Sequence, residues 1–417
     1  MKPLVAVSDG DVPALTAALR AALEGGPAVF PHPEGRAPAS TAGTVDDGIA
    51  LVVETSGSTN RPKRVALSAE ALRASGAASA SALGGPGQWL LALPAHYIAG
   101  AQVLIRSILA GTDPVALGTE SFTPERFADA ASRLDATGLR FTSLVPVQLA
   151  RLVEAAALDP GIARAVAAFN GILVGGQALA PSVLGAAVAH GWRVVRTYGS
   201  SETAGGCVYD GVPLEGVRAR IARGEIELGG PNLADGYLGD AERTAAAFRV
   251  DAGTRWYRTG DLGTIADGVL TVTGRADDVI ISGGVKVVLG EVEQAVRTVP
   301  GFADAVVVPV ADAEWGERPG VAVAVPAAPS APAVPNAPPA APPAAPSAGA
   351  PAAPDAPPAA PGADADTASR LDELVAATDR AGLGPAARPV RLLTLPELPR
   401  LASGKPDRRA LAALFTD

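Results

Sequence analysis

Cysteine is almost missing from this chain of 417 residues: Cys207 stands alone. It cannot close an intrachain disulfide, and no thiolate metal cluster can form around it. Histidine is nearly as scarce. His32, His96 and His190 are the only three, too few and too scattered in sequence for a histidine-bound zinc site. Charged residues supply just 18% and leave a formal net charge of −9, with no basic run. Phosphate neutralisation needs clustered Lys and Arg, so no nucleic-acid partner is expected. Apolar runs of membrane-spanning length are absent outside Ala/Pro-rich sequence, and no transmembrane segment is expected. The N-terminal apolar patch is broken by Ser8, Asp9 and Asp11 and does not read as a secretion signal. A cytoplasmic location is the expectation.

What the chain does have is core material. Hydrophobic residues make up 48%, and the length leaves room for two or three domains. Apolar residues over 12–23 recur at helical spacing and stop at Gly25 and Gly26. A Pro/Gly-rich loop is expected to follow, to about Asp47. IALVVE at 49–54 reads as a buried strand. Further strand signals lie at WLLALP near Trp89, RFTSLVP near Phe141, GILVGG near Ile172 and WRVVRTYG near Trp192, separated by Ala-rich helical stretches. Apolar strands alternating with helices give an α/β class, a sheet covered by helices on both faces. From about Val217, RARIARGEIELGG and GVLTVTG predict a smaller β-rich piece.

A third region begins near Arg275 with DDVIISGGVKV, a helix over 289–297, and the strands FADAVVVPVA and GVAVAVPA. Ala and Pro then fill 25 of the 30 positions 331–360. Proline removes donors, and alanine brings little burial to offset the entropy of ordering. Residues 327–366 are therefore expected to form a disordered or polyproline-like insertion. It interrupts a small α+β domain, which resumes at Thr367 with a helix, the strand VRLLTLP and a short helix after Asp407. The expected domains are 1–274 and 275–417.

The sharpest chemical signal is TSGSTNRPKRV, 55–65, directly after a strand. The hydroxyls of Thr55, Ser56, Ser58 and Thr59, the N–H groups around Gly57 and the cation of Lys63 all suit phosphate oxygens. A Walker A string is absent. The segment resembles the phosphate-binding signature of the adenylate-forming superfamily, which includes acyl-CoA synthetases, luciferases and peptide-synthetase adenylation domains. Asn60 replaces a usual glycine, and asparagine tolerates left-handed geometry.

Other segments resemble further signatures of that superfamily, in its order. For VGG at 174–176 the resemblance implies that Gly175 and Gly176 pack against adenine. For RTYGSSET at 196–203 it implies Tyr198 beside adenine, Thr203 at the α-phosphate and Glu202 at Mg²⁺, a hard cation that prefers oxygen. In YRTGDLG, 257–263, Asp261 would accept from the ribose hydroxyls. In GRADD, 274–278, Arg275 would lie near the ribose and Asp277 at the hinge. In LPRLASGKPDR, 398–408, Lys405 would reach the acyl phosphate. The implied fold is that of the adenylate-forming enzymes: a large N-terminal α/β domain, a β-rich subdomain and a small mobile α+β C-terminal domain. ATP, Mg²⁺ and coenzyme A as co-substrate are implied with it.

Within the superfamily, three segments resemble the 2-succinylbenzoate-CoA ligases of menaquinone biosynthesis, the actinobacterial form in particular. They are LPAHYIAGAQVLIRS (93–107), VVRTYGSSETAGGCVYDGVPLEGV (194–217) and GRADDVIISGGVKV (274–287). The implied substrate carries two carboxylates and an aromatic ring. His96 would orient or hydrogen-bond it, Ser200 and Ser201 would lie near the acyl channel, and Gly205 and Gly206 would leave room for the ring. Arg106 would supply charge at longer range, and Gly283 and Gly284 would border the coenzyme A tunnel. Cys207 is not expected to act as a nucleophile. The alternatives are another aryl- or acyl-CoA ligase, an adenylation enzyme loading a carrier protein, and a non-enzymatic nucleotide-binding scaffold. Oligomeric state is left open, a homo-oligomer included.

Overall fold

The computed structural model describes residues 1–35, 43–55, 62–118, 120–325, 363–401 and 405–415. They form two compact units, Met1–Val279 and Ile280–Asp417, where a division at 274/275 was expected. The insertion expected over 327–366 lies outside the described residues as far as 362. The helix Ala363–Arg380 takes in its last four positions.

In the first unit the apolar strands belong to two sheets rather than the one expected. A six-stranded sheet runs, in spatial order, Gly236–Tyr237, Lys63–Ser68, Ile49–Thr55, Ala28–His32, Lys2–Ser8 and Thr44–Val45. Ala28–His32 corrects the reading of everything up to Asp47 as loop. Pro31 and Pro33 hide it in sequence, yet Val29 pairs with both Val5 and Leu51, and Pro31 falls near the strand end opposite Val7. A proline costs a sheet little where its missing donor lies at the strand end.

The second sheet has seven strands, with Gln88–Leu91, Arg140–Leu144, Gly171–Val174 and Val194–Ser200 parallel at its centre. Side chains alternate across it with the strand period of two. Trp89 and Leu91 pack toward the helices Val12–Leu23, Ala69–Ala82 and Ile98–Ala110, which also cover the first sheet. Leu90, Ile172 and Val174 pack toward Pro124–Ser132, Pro146–Ala156 and Pro160–Ala167. These last three helices all open on proline, which is favoured where the N–H lacks a helical partner anyway. One apolar string thus supplies two cores because it is buried on both faces. The expected β-rich piece is an antiparallel sheet of Arg218–Ala222, Glu225–Gly229, Thr254–Ala266 and Phe248–Asp251, with Val269–Arg275 paired to Thr254–Ala266.

The second unit is built on a five-stranded sheet whose longest strand, Gly316–Ala324, pairs antiparallel with Val306–Asp312 and parallel with Arg391–Leu395. Val307 and Val321 face the helices Leu289–Val296 and Ala363–Arg380. Val306, Val308 and Ala322 face the helix Arg408–Ala413. Among the described residues, no helix is long and apolar enough to cross a membrane.

Candidate active site

Strand Gly171–Val174 runs directly into Gly175 and Gly176. A Cβ on Gly175 would lie 2.4 Å from Thr197 Oγ1 of the neighbouring strand, so no side chain fits between the two. The next residue of that strand, Tyr198, donates its hydroxyl to Asp261 Oδ2 at 2.7 Å. Asp261 Oδ1 accepts from Arg275 Nη1 at 2.9 Å, and Arg275 Nε donates to Asp277 Oδ1 at 3.1 Å. The Asp261 amide donates to Thr259 Oγ1 at 3.0 Å, and that hydroxyl donates to Ile226 O at 2.8 Å. Burial, then the charge of Asp261, raises the Tyr198 phenol far above its usual range. Burial alone would lower Arg275, but Asp261 and Asp277 outweigh it and hold the guanidinium charged. A carboxylate has about four lone-pair positions, so Asp261 keeps acceptor capacity for incoming hydroxyls.

Glu202 is only 6% exposed. Tyr237 donates to its Oε1 at 2.9 Å, and Lys63 Nζ stands 5.4 Å from the centre of the Tyr237 ring. Thr55 pairs with Lys63 across the Ile49–Thr55/Lys63–Ser68 hairpin. The Lys63 cation and the Glu202 carboxylate therefore share one aromatic neighbour. Ser56, Gly57, Ser58, Thr59 and Asn60 lie outside the described residues. Burial, then the Glu202 charge, raises both Tyr237 and Tyr257 well above ordinary phenols. Among the described residues, no group of three or more His, Cys, Asp or Glu could hold a metal. A lone carboxylate matches Mg²⁺, which dehydrates reluctantly and takes its remaining oxygens from water and substrate phosphates.

Thr203 does not offer its hydroxyl outward. Its Oγ1 accepts from Ser200 N at 2.9 Å and donates to Gly205 O at 2.8 Å, closing the turn that contains Ser201. The carbonyl of Ala204 in that turn accepts from Ser75 Oγ at 3.0 Å and Gln102 Nε2 at 2.7 Å. Gly205 packs against Ile98 and Gln102, and Gly206 against Thr197. Ile98, Gln102 and Arg106 recur every four residues, hence on one helical face. Arg106 is buried, with its guanidinium 4.9 Å from the Trp89 ring centre. No carboxylate pairs with it among the described residues, and its Nε, like Gln102 Oε1 and Ser107 Oγ, has no hydrogen-bond partner there. The side chain expected to supply charge at longer range is buried.

His96 Nδ1 meets Asp9 Oδ2 at 2.5 Å, a partner that sequence reasoning missed because no motif marks it. Cys207 is buried, and that burial pushes its thiol up to about 11. Such a thiol is a poor nucleophile at neutral pH.

In the second unit, Gly283 and Gly284 take φ of +55° and +81°, the pair of left-handed residues that a type I′ hairpin turn requires. A Cβ on Gly283 would come within 2.6 Å of the Trp315 ring. Lys405 is exposed, and its carbonyl accepts from Leu401 N at 2.8 Å. Three residues on, Arg408 donates to Glu293 Oε2 at 2.7 Å, and Glu293 also binds Arg297 at 2.8 Å.

A profile of the AMP-binding enzyme family matches residues 8–238. A probable 2-succinylbenzoate--CoA ligase of Mycobacterium tuberculosis is 46% identical over 286 residues, covering 67% of this chain and 72% of that protein. The 2-succinylbenzoate--CoA ligase of Escherichia coli is 30% identical over 275 residues, covering 64% and 56%. The amide bond synthetase of Marinactinospora thermotolerans superposes with a TM-score of 0.69 at 26% identity, over 99% of this chain and 80% of that one. The o-succinylbenzoate coenzyme A synthetase of Bacillus subtilis, in complex with AMP, shares the fold: TM-score 0.66, 24% identity, 92% and 74% covered.

Proposed function

The chain belongs to the AMP-binding enzyme family, and on that premise we propose that it is an AMP-forming acid–thiol ligase joining 2-succinylbenzoate to coenzyme A. Arg106 carries the choice of substrate. A monocarboxylic acid spends its one charge on the reaction, whereas 2-succinylbenzoate retains a second carboxylate that can meet the buried guanidinium. Bidentate pairing with arginine suits such a group.

In the first half-reaction the succinyl carboxylate attacks the α-phosphorus of ATP. A new O–P bond forms, the bond to the β-phosphate bridge breaks, and pyrophosphate leaves. Carboxylates ionise near pH 4, so no protein base is needed, and catalysis rests on alignment and charge neutralisation. Thr55, Ser56, Gly57, Ser58, Thr59 and Lys63 would hold the outgoing phosphates. Gly175, Gly176 and Tyr198 would flank the base, and Asp261 with Arg275 would take the ribose. Magnesium, when bound, neutralises phosphate charge, and Glu202 is the residue that would hold it. Thr203 fixes the turn beside the α-phosphate, and Lys405 supplies the cation for the transferring group. In the second half-reaction the thiol of coenzyme A displaces AMP. The resemblance implies that the second unit turns about Asp277 between the two steps, bringing Gly283 and Gly284 to the pantetheine. Ser200, Ser201, Gly205 and Gly206 would line the acyl pocket.

The test is turnover with ATP, Mg²⁺ and coenzyme A, offering 2-succinylbenzoate, benzoate or a medium-chain fatty acid, with products identified by mass. Selective 2-succinylbenzoyl-CoA formation is expected. Arg106→Gln should raise KM for the dicarboxylate on the order of 10- to 100-fold, a loss typical of a hydrogen bond to a charged group. Lys405→Ala should slow adenylation roughly 10²- to 10³-fold. Thioester formed from another acid would remove 2-succinylbenzoate from the reading. Adenylate without thioester would mean a different acceptor.

A further inference from the structure

Asp9 follows the first strand, Lys2–Ser8, and belongs to none of the nucleotide signatures. Its Oδ2 lies 2.5 Å from His96 Nδ1, and the two side chains keep only 12% and 17% of their exposure. Asp9 is itself fixed: its amide donates to His32 O at 2.9 Å, and its Oδ1 accepts from the Glu34 amide at 3.2 Å. The imidazole packs 4.1 Å from the Tyr97 ring. An imidazole whose Nδ1–H is given to a carboxylate presents the lone pair of Nε2 on its far side. No hydrogen bond reaches Nε2 among the described residues. Two residues on, Ile98 Cγ1 lies 3.9 Å from where a Cβ on Gly205 would stand.

Resting on the ligase reading above, we propose that Asp9 is a positioning residue for thioester formation, holding His96 as the base that removes the thiol proton. The sulfur–carbon bond forms at the acyl carbon while the bond from that carbon to the adenylate oxygen breaks. AMP leaves with the electron pair, and the thiol proton passes to Nε2. A thiol of pKa about 8.5 is only a few per cent ionised near neutrality, so a base accelerates this half-reaction. Asp9 orients the ring and stabilises the imidazolium that forms. The first half-reaction gains nothing from it, because its nucleophile is already an anion.

The experiment is a double-mutant cycle on the full chain, measured separately for each half-reaction. Asp9→Ala and His96→Ala should each slow transfer from preformed acyl-adenylate to coenzyme A by roughly 10- to 100-fold, a larger loss than either shows in pyrophosphate release from ATP. The double variant should be no slower than His96→Ala, since Asp9 acts through that ring. Asp9→Asn keeps an acceptor without the charge and should fall between. Nitrogen-15 spectra of the three histidines should show the Nδ1–H tautomer of His96 in the wild type and its loss in Asp9→Ala. Multiplicative losses in the cycle, equal losses in both half-reactions, or an unchanged imidazole spectrum would overturn the assignment. Wild type that makes no 2-succinylbenzoyl-CoA defeats the substrate reading instead. The cycle then runs on the acid that is turned over, and the spectra still decide the role of Asp9.

Discussion

Two residues carry opposite lessons about burial. Cys207 is an uncharged thiol in an apolar cluster with Val208, Ile226, Leu228 and Leu270, where burial only raises its pKa. It should not react with a disulfide reagent in the native protein at pH 8, and should react fully once the chain is unfolded. Rapid native modification would show that the site opens. Arg106 is also buried, with the Trp89 ring face beside it and no carboxylate paired to it among the described residues. Such a group is tolerated where a ligand completes the pairing. Nothing in the sequence separates the two cases, because both sit in strings of small and apolar residues.

Among the elements, the loop bearing Lys405 is held by the helix on its C-terminal side. Asp407 caps that helix, Arg408–Ala413, through the Ala410 amide at 3.0 Å. Arg408 reaches back to Glu293, which also receives the Val307 amide at 3.0 Å. Replacing Glu293 by alanine removes the carboxylate that both Arg297 and Arg408 meet. Losing one partner of a buried pair costs about 3–5 kcal/mol, so urea unfolding of the second unit should shift by about that amount. An unchanged midpoint would mean that water solvates both arginines. The strands were legible where apolar runs are clean, as in Val306–Asp312. Ala28–His32 was not, because Pro31 within it and Pro33 just beyond it read as loop punctuation while its neighbours on both sides supply the pairing.

The whole molecule should respond to alkali through its buried phenols. In the unfolded chain a tyrosine ionises near pH 10. In the folded state Tyr198, Tyr237 and Tyr257 hold their protons to higher pH. A raised folded-state pKa gives stability that is complete below the unfolded value and fades as pH rises past it. The melting temperature should therefore fall above about pH 10, and at least three of the five tyrosines should gain tyrosinate absorbance only as the chain unfolds. Phenols that titrate in the native protein below that point would contradict the burial described.

Sequence by itself determined the order of the segments that resemble the phosphate, adenine, ribose and lysine signatures, because each needs several chemical groups within a few residues of one another. It also determined the α/β class, since apolar runs report burial on both faces. Only the tertiary structure decided the partners. Tyr198 meets Asp261 across 63 positions, Tyr237 meets Glu202 across 35, and His96 meets Asp9 across 87. Likewise, only the structure divided the strands between two sheets and left Arg106 without a carboxylate partner among the described residues. Hydrogen-bond and charge pairing act over a few ångströms in space, and a linear string fixes those distances only within a turn or a strand.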